Sequence, residues 1–495
     1  MGPIKRVAII GAGPAGVITI DALAQEKAFD TIRVFERRED SGGCWLQDPP
    51  NHTQVLPSIS ALSSRTADAP LPIPPHLPTT MPASTQYRFS DTSIYPHLET
   101  NIAAGPMSFS AEPFPEIRSE WSIRNHGADT PFRHWKVVKD YISSLLSRHG
   151  YNDMVEYNTT VESVRRNADT AAHVWTLVLR KAIAGKDDYW WSEDFDAVVV
   201  ANGHYTVPFL PDVPGLAKYH EVHPNVISHS KSFRNPQDYK DKTVVVVGAS
   251  ISGPDIASSI AGLVKPPLLS VVRGKYHPYF FDYAFQHPKI LRKYGLSHFD
   301  ASGDGTVHFS DGTSVTAPDA VIFGTGYSWT LPFLKDVWGP GDGVELRNNR
   351  LPGLYQHVFY RRDPTLTFVG AVAAGFTFKV FEWQAVLAAR YLAGRITLPP
   401  LEDQEAWEQK RVELKGDGVP FSALYPDFEE YFEEVRLLAG EPKDGVGRKL
   451  PKFEKAWRAE FDAAHLRRIA MWKRNNQQAE AELVREKETV QLGRL

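Results

Sequence analysis

Two short stretches carry glycine at the spacing that phosphate chemistry demands. In "RVAIIGAGPAGVITIDALAQ", Gly11, Gly13 and Gly16 form G-x-G-x-x-G between an apolar run and an Ala/Leu-rich helical stretch. Glycine does three things in such a turn: it permits the tight bend, lets backbone approach a pyrophosphate, and lets the helix pack closely on the strand. The helix N-terminus, opened by Pro14 and Ala15, then offers free N–H groups and a positive dipole end to the phosphates. The next strand, "TIRVFE", ends in Glu36, 20 residues past Gly16. A carboxylate there accepts hydrogen bonds from ribose hydroxyls.

The second stretch, "TVVVVGASISGPDIASSIAG", repeats the plan with Gly248, Ser250, Ser252 and Gly253, a serine standing where the middle glycine would be. Its next strand, "LLSVVR", ends in Arg273, with Lys275 two residues on, instead of an acid. A carboxylate would repel a 2′-phosphate, whereas a guanidinium grips it with paired donors. The second turn is thus expected to take NADPH over NADH; the plain alternative is a solvated strand end. Two turns with opposite charge at the following strand imply two different redox nucleotides, FAD and NADPH. A protein holding both accepts a hydride on a flavin and passes electrons onward.

The destination of those electrons is narrowed by counting. Cys44 is the sole cysteine, so there is no internal disulfide and no dithiol acceptor. Dioxygen remains. With no adjacent base in the sequence, Cys44 reads as a small buried apolar residue rather than a catalytic thiol. No H-E-x-x-H or related spacing suggests a metal, and no G-x-S-x-G elbow suggests a hydrolase. A net charge of -4 provides no global basic field for nucleic acid or an anionic membrane. No apolar run is long enough for a membrane span, and the N-terminus enters a strand without a signal pattern. A cytoplasmic protein is expected.

These residues need elements to position them, and 495 residues suggest two or three domains. The apolar runs around each glycine turn read as βαβ units. Residues 49–82 hold nine prolines and no period, an irregular excursion suited to a surface loop or a site wall. "FRHWKVVKDYISSLLSRHG" has helical spacing, "TTVESV" (with Val161, counted among the cofactor-binding positions) and "VWTLVLR" read as strands, and "WSEDFDAVVVANGHY" reads as one buried strand ending at a glycine. From about residue 400 the chain turns helical and charged, and its last forty residues read as solvated helix. The expected fold class is α/β, with two Rossmann-like dinucleotide-binding domains: an FAD domain from segments 1–213 and 328–495, an NADPH domain inserted at 214–327, and a helical C-terminal extension. That tail is long enough to pair with a second copy, so a homodimer is one expectation.

The motifs in order resemble the flavin-containing monooxygenases, in particular the soluble fungal type of this class B flavoprotein group. They are "GAGPAG" with Glu36, "GGCW", "YPHLETN" followed by "MSFS", "NGHY", "VVVVGASISGPDIA" and "FGTGY". The family's identifying stretch corresponds to "YHEVHPNVISHSKSFRNP", where His229, Ser230 and Phe233 match but the glycine and the proline spacing are not kept. The resemblance implies that NADPH reduces FAD and that dioxygen then gives a flavin hydroperoxide. One oxygen passes from it to a soft sulfur or nitrogen of a small-molecule sulfide or amine. It implies that Asn101 is the active-site amide, which can donate and accept without titrating; from the residues alone, Asn101 could instead cap the following segment. Among cofactor-binding positions the resemblance places Gly43 and Trp45, Asn202, Gly203, His204 and Tyr205, then Thr325, Gly326 and Tyr327, and Gln384 at the flavin ring edge. Trp45 could equally fill the core, and Gln384 could be a helix-surface amide. Baeyer–Villiger or N-hydroxylating oxygenation with the same cofactors, and an uncoupled NADPH oxidase, stay open as alternatives.

Overall fold

A computed structural model of the chain describes residues 3–49, 56–167, 174–338, 349–373 and 375–492. Two largely parallel sheets organise it. The first has β1 (Arg6–Ile10) at its centre, flanked by β2 (Thr31–Phe35) and β8 (Ala197–Val200). Its full order is β19-β20-β21-β8-β1-β2-β4, adding β4 (Val155–Glu156), β19 (Leu354–Tyr355), β20 (Phe359–Tyr360) and β21 (Leu366–Phe368). The second has β11 (Val244–Val247) between β12 (Leu268–Val271) and β17 (Ala320–Phe323), with β10 (Ile227–His229) and β13 (Ile290–Lys293) at its edges. In each sheet the chain leaves the central strand toward one neighbour and later returns on the other side, so both have a switch point at the end of the central strand.

Both faces of the inner strands β1, β8, β11, β12 and β17 are buried, which is why they read as continuous apolar runs rather than alternating ones. Val7 and Ile9 face one core with α1 (Pro14–Glu26), α5 (Trp135–His149) and α8 (Thr377–Leu392); Ala8 and Ile10 face another. In β11, Val245 and Val247 likewise face away from Val244 and Val246, the latter pair packing on α7 (Ser252–Ile260). The stretch expected as one strand after residue 190 is two. β7 (Asp188–Phe195) lies in an antiparallel sheet with β3 (Thr79–Met81), β5 (Thr159–Asn167) and β6 (Val174–Lys181), and β8 starts two residues later in the parallel sheet. Part of the proline-rich excursion, 50–55, lies outside the described residues; the rest forms the short α2 (Ile59–Ser63) and β3.

The chain leaves the first sheet and comes back to it side by side: β9 (Val207–Pro208) pairs antiparallel with β18 (Tyr327–Ser328). Between them lie α6 (Leu216–Val222), the second sheet, and a small antiparallel sheet of β14 (Leu296–Asp300), β15 (Thr306–Phe309) and β16 (Ser314–Thr316). Two further short helices, α3 (Ala104–Met107) and α4 (Glu120–His126), precede α5.

After α8 come α9 (Leu401–Lys415), α10 (Val419–Ser422), α11 (Phe428–Ala439) and α12 (Lys455–Leu492). The reading of α12 as a wholly solvated helix is corrected by its first half. Trp457, Phe461, Ala464, Met471 and Trp472 are buried on one face, and Arg468 pairs with Asp255 of α7 at 2.5 Å. Charges on the remaining face masked this stripe in the composition. Burial of each large apolar side chain contributes about 1.5–3 kcal/mol. An exposed pair such as Arg467–Asp129 is screened by solvent and adds little, so apolar docking fixes the helix. Among the described residues no helix is long and apolar enough to cross a membrane.

The tightest constraint is steric. A Cβ at Gly16 would lie 1.9 Å from the carbonyl oxygen of Gly11, so α1 sits on its strand only because that atom is missing. Gly16→Ala is expected to lower stability by about 1–3 kcal/mol or more, read as a drop in the denaturation midpoint. Gly262→Ala, with open space around it, should leave the midpoint unchanged or slightly raised.

Candidate functional site: two nucleotide turns and the cleft between them

The first turn closes against the far side of the switch point. Gly11 has φ +102°, and a Cβ there would come within 2.9 Å of the Ala201 carbonyl oxygen. Gly13 passes Gly43 backbone to backbone: a Cβ on Gly43 would lie 3.0 Å from the Gly13 Cα. Helix α1 begins at Pro14 with Gly13 as its cap and no side chain on its first N–H groups, so these remain for a ligand. Glu36 is buried; its Oε2 accepts from Ala12 N at 2.7 Å and its Oε1 from Arg38 N at 2.9 Å. The turn itself orients the carboxylate, and each oxygen keeps a lone pair. Gly11, Glu36, Val161 and Asn202 line one cavity of about 80 Å³. A backbone cradle that side chains would fill, with an oriented acid beside it, fits the diphosphate and ribose of FAD.

The second turn is built the same way. Gly248 has φ +120° and lies against the Gly324 carbonyl oxygen, which a Cβ would meet at 2.3 Å. A Cβ at Gly253 would meet the Gly248 carbonyl oxygen at 2.1 Å. Ser250 is exposed at the turn, and Ser252 opens α7 with no side-chain cap. Ala201 and Gly324 are thus equivalent positions, so the motifs after them, "NGHY" and "TGY", occupy equivalent rims. Gly203 (φ +69°) and Gly326 (φ +81°) make the bend in each.

Those two rims meet in one cleft of about 1100 Å³, which also receives Gly248, Ser250 and Arg273. His204 stacks on Trp329 with ring centroids 4.1 Å apart, and Tyr205 meets Tyr327 edge-on at 5.7 Å. Loss of water around His204 pushes its pKa down to about 3, so the imidazole is neutral. Arg273 and Lys275 are exposed, line the cleft, and have no ion pair among the described residues. Strand β12 itself stops at Val271, two residues short of Arg273. Asp212 is the one acid among the described lining residues. The cleft therefore carries cations beyond β12, whereas the strand after the first turn ends in the Glu36 carboxylate.

Other expected residues lie elsewhere. Asn101 is half-buried and lines neither cavity. It does not cap α3, whose cap is Ala103 with no side-chain bond, so that alternative is set aside. Trp45 is part-buried against the core around α1 and α5. Beside it, burial pushes the Cys44 thiol up to about 11, which leaves it protonated and inert. Gln384 is corrected on one reading: it is not on the helix surface. It is fully buried, its Oε1 accepting from Gly370 N at 2.8 Å and its Nε2 donating to the Tyr431 hydroxyl at 2.8 Å. It holds the segment that passes Ala15, since a Cβ on Gly370 would lie 3.5 Å from that of Ala15.

The sequence reading missed the lock between the folds. Lys231 is fully buried; its Nζ lies 3.0 Å from Asp91 and 2.6 Å from the Thr206 carbonyl oxygen. Arg234 pairs with Asp48 at 3.1 Å and donates to the Thr92 carbonyl oxygen at 2.9 Å. Three of these four partners lie more than a hundred residues away and leave no local signal. The linker aromatic Phe233 is buried edge-on against Tyr95 at 5.5 Å.

The family model described as flavin-binding monooxygenase-like matches residues 84–277 and 298–442. The flavin-containing monooxygenase ustF2 of Aspergillus flavus is 26% identical over 87% of this chain and 90% of its own length. The trimethylamine monooxygenase of Methylocella silvestris is 30% identical over 85% of this chain and 83% of its own. The S-allyl-L-cysteine S-oxygenase of Allium sativum shares the fold, with a TM-score of 0.69 and 24% identity over 97% of this chain and 99% of that one. With two equivalent glycine turns whose opposing rims meet in one cleft and a family match spanning most of its length, the chain belongs to the flavin-binding monooxygenase-like family of oxidoreductases.

Proposed function

We propose that this flavin monooxygenase holds FAD on the Gly11 turn and NADPH on the Gly248 turn, and oxygenates a soft sulfur or nitrogen of a small molecule. The observation that carries it is the opposite charge of the residues that follow two otherwise equivalent turns. Glu36 closes the first, whereas Arg273 and Lys275 stand unpaired beside the second. The domain division that goes with it is 1–213 and 328–495 for FAD, with 214–327 inserted for NADPH; β9 and β18 pair close to both junctions. Substrate choice is supported by two relatives, a trimethylamine monooxygenase and an S-allyl-L-cysteine S-oxygenase, one named for an amine and one for a sulfide.

When bound, the flavin supplies hydride acceptance and the activation of dioxygen. The chain's residues do the rest. The first-turn N–H groups of α1 and the Glu36 carboxylate hold diphosphate and ribose. Arg273 and Lys275 neutralise a 2′-phosphate. His204, Tyr205, Tyr327 and Trp329 wall the cleft with rings that would exclude water from a bound dinucleotide. The family resemblance gives the Asn101 amide, which lines neither cavity, the task of bonding oxygen atoms without gaining or losing a proton.

Purified protein should be yellow and should consume NADPH with sulfides or amines, forming one oxygenated product per NADPH. Turnover of ketones alone would favour the Baeyer–Villiger alternative, and peroxide equal to NADPH with every substrate would favour the uncoupled oxidase. Arg273→Ala should raise the Kd for NADPH by about tenfold or more and leave that for NADH unchanged; equal loss for both refutes the phosphate assignment. Asn101→Ala should keep its flavin and its NADPH-driven flavin reduction while peroxide per NADPH rises and product falls, measured by paired peroxide and product assays.

A further inference from the structure

The proline-rich excursion sends one cation into the cleft. Arg65 follows α2, at the position where a helix turns left-handed and glycine is usual. Its φ is +63°, and the Thr66 N–H bonds back to the Ala61 carbonyl at 2.9 Å. A large side chain in that conformation is strained, so backbone geometry alone does not account for an arginine.

Its side chain is held on one side and open on the other. Nη1 donates to the Ser328 hydroxyl at 2.9 Å, and the guanidinium lies 3.9 Å over the ring of Phe209. Its Nε and Nη2 have no partner, and it forms no ion pair, among the described residues. Asp68, three residues on, accepts from the Thr330 hydroxyl at 2.8 Å and lines the other cavity beside Arg37. Burial alone moves the Arg65 pKa, and it moves it down; no carboxylate opposes it. A half-buried cation with unused donors and no counter-charge calls for an anionic ligand.

The contacts say which part of the ligand. Phe209, under the guanidinium, is tied to the rim of the second turn: its N–H donates to the Gly326 carbonyl at 2.9 Å and its carbonyl accepts from Thr325 Oγ1 at 2.5 Å. Thr325 follows Gly324, the residue against which Gly248 closes. A 2′-phosphate belongs with Arg273 and Lys275 beyond β12, whereas the pyrophosphate belongs at Gly248 and the start of α7. We propose that Arg65 is a clamp from the excursion onto a pyrophosphate oxygen of the nicotinamide dinucleotide. The inference rests on the second turn being the dinucleotide site, and it gives the excursion a binding task.

The test titrates NADP⁺ and NAD⁺ into the flavin-loaded protein by calorimetry, alongside its melting temperature. Arg65→Gly suits the left-handed backbone, so it should hold the melting temperature yet raise both Kd values about tenfold or more. Both dinucleotides carry the pyrophosphate, so the ratio of the two affinities should stay as in the wild type; Arg273→Ala, in contrast, changes that ratio. Arg65→Lys keeps the charge without the fork and should fall between. Unchanged affinity in Arg65→Gly overturns the clamp, as does a loss confined to NADP⁺, which would put Arg65 on the 2′-phosphate. If Arg65→Gly fails to fold, Arg65→Lys decides: wild-type affinity for both overturns the clamp. A wild-type protein that binds neither dinucleotide overturns the dinucleotide reading and the clamp together.

Discussion

Everything in this molecule depends on how closely two helices approach the strands that precede them. At Gly16 and at Gly253 the missing Cβ would fall about 2 Å from the carbonyl oxygen of Gly11 or Gly248. That approach aims each helix N-terminus at the end of its sheet, where free N–H groups meet a phosphate. It also forces the opposing strand ends, at Ala201 and Gly324, to pass within contact of the same turns. The two rims that carry His204, Tyr205 and Tyr327 therefore follow from the helix packing.

The second requirement is that two such units face each other. Strands β9 and β18 carry the chain out and back as a pair, so the inserted sheet hangs on one narrow neck. Buried charge stiffens that neck. Lys231 pays its desolvation through Asp91 and Thr206, and Arg234 reaches Asp48 and Thr92. Such a pair adds little net stability over an apolar one but tolerates few other geometries. Helix α12 adds a brace from the opposite side, its Arg468 on Asp255 of α7 and its Asn476 on the Tyr283 carbonyl. The cleft is thus framed by elements drawn from the excursion, the linker and the tail.

How much of this was legible follows the range of the forces. The sequence by itself determined both glycine turns, their flanking strands and helices, and the sign of charge after each, because all of these are local: a φ value, a missing Cβ, a residue twenty places on. The family resemblance, resting on the same short motifs, held when the relatives were compared. Only the tertiary structure decided what lies far apart in the chain. Gln384 turned inward to Gly370 and Tyr431 because α8 packs against α11 and a buried amide takes its hydrogen bonds from the protein. Helix α12 docked by half its length because its stripe of Trp457, Phe461 and Trp472 meets aromatic rings from 276–287 and 376–428. Arg65 came to the Gly248 rim because Phe209 and Ser328 lie beside each other once the neck strands pair. Contacts of that kind depend on loop closure over hundreds of residues, and no spacing in a sequence encodes them.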